Sequence, residues 1–414
     1  MSARRSRPGG PTEGAVPDGT APDGAPAGTA PAGRLVVLDG VRILAALCVL
    51  LYHYVALDSG WGGPTVEIFP VAHRFAVYGW LGVEVFFLVS GFVICMSAWG
   101  RPVGDFAVSR LSRLFPAYWT AVLLTSAVLF AWPEVRPLRG FTDVMVNLSM
   151  LQAAVGVPNI DDAYWTLFAE LKFYVLFALV VMRGTTYRNC VLFCGLWTLA
   201  AIVAPTADSG VLNFFAISPY SPYFTAGIAF HLMRRFRPNA VLWAVVGVQF
   251  LLAQHYVHDR MISNLGRGPA AATPVWPAHV IIALAFLLMA AIALGALDGI
   301  RWRWLPHAGA LTYPLYLIHM LVGLTAIHHF RGQVPPVPLV LGVSTAMLLL
   351  AWTVHRLIER PLGRALRDGL RRGVQDIRAH SPQRPPGSRA PYLAALPAQS
   401  AAPEAERVPA PGRG

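Results

Sequence analysis

Long apolar runs separated by short, arginine-bearing loops organise this chain. The runs recur at about 20 residues, the length an α-helix needs to cross about 30 Å of hydrocarbon. The pattern predicts ten membrane helices, over 37–57, 78–98, 114–132, 164–182, 189–206, 214–233, 239–257, 277–297, 308–329 and 337–357. A further stretch, 141–156, is too short to span and reads as a re-entrant or interfacial helix on the outer side. The expected fold class is all-α, a polytopic membrane helix bundle.

Polar ends frame the bundle. Residues 1–34 are rich in Pro, Gly and Ala, with Arg4, Arg5 and Arg7 but no apolar core of a signal peptide, and read as a disordered cytoplasmic tail. The transmembrane domain is expected over 35–365, and 366–414 as a mostly disordered cytoplasmic tail. No soluble catalytic domain is evident, so the expected chemistry belongs to the bundle. Arginines mark the sides. Arg101, Arg110, Arg113, Arg183, Arg188, Arg234, Arg235, Arg237, Arg301 and Arg303 fall in alternate loops, joined by Arg360, Arg364, Arg367, Arg371 and Arg372 after the last helix. The intervening loops hold fewer: Arg74, Arg136, Arg139, Arg260, Arg267 and Arg331. The positive-inside rule then puts both termini in the cytoplasm.

Composition agrees with a membrane protein: 55% of residues are hydrophobic and 13% charged, where soluble domains carry roughly 25% charged. The net charge of +12 is almost wholly arginine, Lys172 being the only lysine. That bias suggests a GC-rich bacterial genome and hence a multi-pass protein of the bacterial inner membrane. The basic charge sits at the ends of apolar segments, as topology determinants do, so no nucleic-acid partner is expected; the lipid bilayer is. Cys48, Cys95, Cys190 and Cys194 lie inside apolar runs and read as buried free thiols; no metal site is expected.

Charged groups inside hydrocarbon are costly and each needs a reason. The first helix carries Asp39, Arg42 and His53. Arg42 and His53 are eleven residues apart, which on a helix is about 16 Å along one face. A cation thus stands near the cytoplasmic entrance and a titratable imidazole deep toward the other side. Arg110 and Arg113, three apart, share a helix face at the cytoplasmic surface, where paired guanidiniums suit phosphate or simply anchor topology. Glu170 and Lys172 lie inside the run that opens at Trp165; two positions apart, they face different ways. Tyr313, Tyr316 and His319 follow one another at i, i+3 and i+6 in the ninth predicted helix.

In order along the chain, these segments resemble the acyltransferase-3 family of bacterial membrane proteins. The family's basic residue, ten positions and histidine match Arg42 and His53. Its GVxxFFxxSGF segment matches GVEVFFLVSGF at 82–92, and its RxxR motif matches Arg110 and Arg113. Its WSLxxE signature is similar to Trp165, Thr166, Leu167 and Glu170, and its S-Y-x-x-Y-L-x-H segment to Thr312, Tyr313, Tyr316, Leu317 and His319. The terminal ERP matches Glu359, Arg360 and Pro361. Lys172 departs from the family, where glutamine is common at that position, and the extracellular esterase-like domain fused to some relatives is not expected here.

The resemblance implies transfer of an acyl group, acetyl for preference, from acyl-CoA (acetyl-CoA) as co-substrate to a hydroxyl, with no bound cofactor and no metal. It implies a carbohydrate, glycolipid or small-molecule acceptor. Arg42, Arg110 and Arg113 would meet the CoA phosphates, and Trp165 and Lys172 would complete substrate binding. His53 reads as general base or as covalent acyl carrier, Glu170 as its orienting acid, and His319 or Tyr313 as donor to the oxyanion. The competing class is a proton-coupled exporter, which buried Asp, Arg, Glu, Lys and His would also suit. No internal repeat and no paired broken helices in matching halves are legible in the sequence, which weighs against it.

Overall fold

The structure, a computed structural model, describes residues 35–380; the readings made for 1–34 and 381–414 lie outside the described residues. Every described element is helical. Among the described residues seven helices are long and apolar enough to cross a membrane, and two bent helix pairs raise the number to nine if each pair is one span. The chain is a multi-pass membrane protein.

Helix α1 (Val36–Leu51) runs directly into a wide π-turn, Tyr52–Ala56. Helix α2 (Gly82–Ala98) follows short helices over Ala72–Ala76 and Gly79–Leu81. Then come α3 (Val103–Ala131), α4 (Trp165–Met182), α5 (Tyr187–Val203) and α6 (Ser221–Phe236). Helix α7 (Ala240–His255) bends by 42° into α8 (Val257–Leu265), and α9 is Trp276–Ala293. Helix α10 (Leu305–Ile318) bends by 68° into α11 (Met320–Phe330). Helix α12 (Pro336–Val354) passes through a second π-turn, His355–Glu359, into α13 (Arg360–His380).

Four differences from the apolar pattern matter. The third span begins at Val103, not at 114, so Arg110 and Arg113 stand within a helix. The sixth predicted helix is two elements, a short helix Gly210–Ala216 and α6. The seventh and ninth predicted helices are bent, which brings Arg260 into a helix and puts His319 at a break. Both bends fall in the C-terminal half, so they do not form the matched broken helices of an inverted repeat. Lastly, α13 is helical to His380, within the first part of the segment 366–414 whose composition reads as mostly disordered. Its Leu366, Leu370 and Val374 recur every four residues on one half-buried face. Gly363 lets it close on α3, since a side chain there would sit 3.1 Å from the Ser112 carbonyl. Pro116 has no N–H to give that carbonyl, which leaves it open to the approach.

Close helix contacts need small residues, because lipid gives no hydrophobic drive between helices. A Cβ at Gly91 of α2 would collide with the Phe224 carbonyl of α6, and one at Gly227 of α6 with the Leu88 carbonyl of α2. These reciprocal glycines set α6 at the bundle centre, where every residue from Ser221 to Met233 is buried. Gly309 of α10 leaves room in the same way for Asp39 of α1. Between the backbones an aromatic core forms, with Phe173 stacked on Trp197 at 5.7 Å and on Phe224 at 4.5 Å.

Candidate active site

His53 stands on the π-turn that ends α1, and such single wide turns are frequent at functional sites. His319 stands at the 68° break between α10 and α11. Although 266 positions apart, the two imidazoles meet: His319 Nε2 is 3.1 Å from His53 Nδ1, with the ring centroids 4.9 Å apart. The backbone fixes the tautomers. His319 Nδ1 lies 2.8 Å from the Tyr316 carbonyl, which only accepts, so the proton of neutral His319 is on Nδ1 and its Nε2 is an acceptor. His53 Nδ1 faces two acceptors, this Nε2 and the Val49 carbonyl at 2.8 Å, so it carries the proton of neutral His53. The lone pair then falls on His53 Nε2, which makes no hydrogen bond among the described residues. That is the state required of a base or a nucleophile.

The break is pinned from two sides. The Tyr54 hydroxyl donates to the His319 carbonyl, and the Leu321 N–H donates to the Asp161 carboxylate at 3.0 Å. Asp161 also accepts from the Ala163 N–H at 2.9 Å, tying the entry of α4 to the same point. Asp161 is fully buried in the loop before that span; burial pushes its carboxyl up to about 6, against the two N–H donors that pull it down. Tyr316, one turn before His319, joins through its hydroxyl to Thr166 of α4 at 2.9 Å.

A second cluster lies toward the other end of α1. Glu170 Oε1 accepts from the Ser90 hydroxyl and from the Tyr174 hydroxyl, each at 2.6 Å. Arg42 lies within electrostatic reach of Arg113, Glu170 and Asp39, and Arg110 within reach of Tyr174, Arg113 and Glu170. Arg113 is exposed, whereas the Nε of Arg110 is buried without a partner. Three guanidiniums against the two carboxylates of Glu170 and Asp39 leave this end with surplus positive charge.

The remaining sequence candidates are placed elsewhere. No hydrogen bond or ion pair joins Glu170 to His53; the partners of His53 Nδ1 are the Val49 carbonyl and His319. The Tyr313 hydroxyl donates to the Leu114 carbonyl at 2.9 Å. The Lys172 ammonium lies over the Phe168 and Phe214 rings, 5.0 and 4.7 Å from their centroids, on a face away from Glu170. Trp165 packs against Phe87 and Tyr220.

Other residues were missed. Glu84 and Arg260 form a buried ion pair at 3.0 Å beside Trp165, although Arg260 reads as a loop residue in the sequence. Glu84 carried a usable signal, a carboxylate within an apolar run. Asp161 and Ser90 carried none. At the His53 end a cavity of about 900 Å³ opens, lined by Ala56, Asp58, Arg74, Tyr78, Leu265 and Trp276 among others. Its wall at Ala56 is the last residue of the turn that holds His53.

Comparison with known proteins agrees on the chemistry. The profile of a family described as an acyltransferase domain matches residues 35–356. Acyltransferase MdmB of Streptomyces mycarofaciens is 26% identical over 384 residues, covering 82% of this chain and 94% of that protein. Exopolysaccharide production protein ExoZ of Rhizobium meliloti (strain 1021) is 27% identical over 320 residues, 71% of this chain and 93% of that protein. Peptidoglycan O-acetyltransferase OatA of Listeria monocytogenes is 27% identical over 190 residues, only 40% of this chain and 28% of that longer protein. No solved structure matches.

Proposed function

This chain belongs to the acyltransferase family whose profile it matches, and from that premise we propose that it is an inner-membrane O-acyltransferase moving an acetyl group from acetyl-CoA to a hydroxyl of a carbohydrate or secreted metabolite. The observation that carries the reading is the His53–His319 pair, with its free lone pair at His53 Nε2. In the proposed reaction His53 Nε2 takes the proton of the acceptor hydroxyl as its oxygen attacks the thioester carbonyl. The tetrahedral intermediate collapses, the ester forms, and the CoA thiolate leaves with the proton returned from His53 Nε2. His319 Nε2 accepts from Nδ1–H throughout, so the passing imidazolium is stabilised by a charge-assisted bond.

The arginine cluster supports a CoA donor. Arg42, Arg110 and Arg113 offer guanidiniums to phosphates at one end of α1, about 16 Å from His53 by helix rise. An extended pantetheine arm is suited to bridge that span, with its thioester at His53. With α6, 16 residues long and central in the bundle, taken as a tenth crossing beside the nine, both termini are cytoplasmic; the donor then enters from the cytoplasm and the acceptor from the His53 end, where the large cavity lies. Glu170, bonded to Ser90 and Tyr174, balances the arginines instead of orienting the base.

The test is His53→Ala in purified protein in lipid nanodiscs. Loss of a general base typically lowers the rate by ~10²–10⁴, with insertion near normal. A variant that keeps more than half of the wild-type acetyl-CoA turnover removes His53 from the reaction.

A further inference from the structure

The ion pair between Glu84 of α2 and Arg260 of α8 is 3.0 Å long, and the two side chains are only 2% and 7% exposed. A buried ion pair is weak evidence for stability, since desolvation offsets the attraction. This one is also incompletely satisfied. Glu84 Oε2 is buried with no partner, and so is the indole Nε1 of Trp80, one turn before it. Arg260 bonds through Nε alone; among the described residues its two Nη groups and the Tyr220 hydroxyl make no hydrogen bond. Buried polar groups are normally all paired, so the two open buried atoms, Glu84 Oε2 and Trp80 Nε1, beside unbonded guanidinium N–H groups, point to a polar ligand.

The cluster is walled by aromatic rings. The Arg260 guanidinium carbon is 4.5 Å from the Tyr220 centroid, 5.5 Å from Trp165 and 5.7 Å from Trp80. It also adjoins the histidines. Tyr52, whose ring lies 5.0 Å from that of His53, feels the charge of Arg260 and donates to the Asn264 carbonyl of α8 at 2.8 Å. Tyr316, 5.6 Å from the His319 ring, lies within electrostatic reach of Glu84.

We propose that Glu84, Arg260, Trp80, Trp165 and Tyr220 form the acceptor subsite, and that it takes an uncharged pyranose. This rests on the acyltransferase reading above. The chemistry selects the class. A carboxylate beside a guanidinium is neutral as a unit, so it disfavours an anionic headgroup, while open donors and acceptors together suit hydroxyls, which are both. Half-buried Trp165 and Tyr220 offer faces to the apolar side of a sugar ring. One ring hydroxyl donates to Glu84 Oε2, and others accept from Arg260 and Trp80, which leaves a neighbouring hydroxyl for His53.

The experiment uses the full chain in nanodiscs with acetyl-CoA and the methyl pyranosides of glucose, galactose, mannose and rhamnose as probes. At least one probe is expected to gain an acetyl ester, detected by mass, with saturable kinetics. Glu84→Gln keeps the shape and one bond, and Tyr220→Ala leaves the ion pair intact, so the second variant serves if the first fails to insert. Each is expected to raise the KM for the pyranoside by about tenfold or more, with the KM for acetyl-CoA within about twofold of wild type. Acetylation with an unchanged pyranoside KM in both variants overturns the subsite and leaves water as the partner of these groups. Absence of any acetylated pyranoside, while acetyl-CoA is still consumed in a His53-dependent way, overturns the carbohydrate class but not the reaction. If acetyl-CoA consumption does not depend on His53 at all, the reaction and the subsite fall together.

Discussion

Replacing His319 by alanine removes one of the two acceptors at His53 Nδ1 and leaves the Val49 carbonyl, 2.8 Å away, as the other. In the resting enzyme the lost bond joins two neutral groups, worth about 0.5–1.5 kcal/mol net. In the transition state of the proposed reaction His53 is turning into imidazolium, and a hydrogen bond from a charged donor is worth about 1.5–3 kcal/mol. Because Val49 retains part of that stabilisation, kcat is expected to fall by about 10–100-fold. His319→Gln offers an amide oxygen near the position of Nε2, so it should recover most of the loss. His53→Ala should be the slowest single variant.

A double variant separates a partner of His53 from an independent catalyst. If His319 acts through His53, then adding His319→Ala to His53→Ala changes the residual rate by less than about twofold. The assay is thiol release from acetyl-CoA by equal amounts of inserted protein, with melting temperatures measured beside it, since His319 is 1% exposed and its truncation also loses packing. Two results would refute the reasoning: His319→Ala within about twofold of wild type, or a double variant about tenfold slower than His53→Ala alone.

Arg113→Gln should raise the apparent KM for acetyl-CoA by about tenfold with partial rescue by lysine, whereas full rescue would mark Arg113 as a topology anchor. Reporter fusions after residues 135, 208 and 333 should read the outer side and those after 101, 186 and 301 the cytoplasm; an inverted pattern would reverse the donor and acceptor ends. Asp161 titrates higher folded, at about 6, than an unfolded aspartate at about 3.9, so folding takes up a proton and this group's contribution to stability falls as pH rises from about 4 to 6. Asp161→Asn should flatten that part of the melting-temperature profile, and an unaltered slope would show that another group sets it.

Much of the bundle was legible because hydrocarbon thickness imposes a length on every apolar run. What the runs concealed were breaks. The segment VHDRMISNL, over 257–265, is polar enough to read as a loop, yet it is helical, and Arg260 is buried because Glu84 neutralises it and three rings surround it. His319 stood in the sequence as a candidate, but its partner was not readable, since the contact depends on a bend and spans 266 positions. Glu170 was legible as a carboxylate within an apolar run, but its partners Ser90 and Tyr174 were not, because helix spacing says which residues share a face and nothing about which neighbouring helix that face meets. The regular four-residue spacing of Leu366, Leu370 and Val374 was visible, but the arginine-rich composition around them outweighed it.

The GVEVFFLVSGF segment shows why a short pattern can recur without any of its residues doing the chemistry. Gly82 fits against the Ala45 carbonyl of α1 and Gly91 against the Phe224 carbonyl of α6, so two glycines fix α2 between the helix that carries His53 and the buried centre. Phe87 fills the space among Trp165, Tyr220 and Phe224. Ser90 reaches Glu170 on one side, and Glu84 reaches Arg260 on the other. One helix thus binds the carboxylate of the arginine cluster and the carboxylate of the aromatic cluster about two turns apart. A change that rotates or shifts α2, such as Gly91→Ala against a backbone that cannot yield, should therefore impair donor and acceptor binding together. Changes at Arg113 or Tyr220 should impair only one of them.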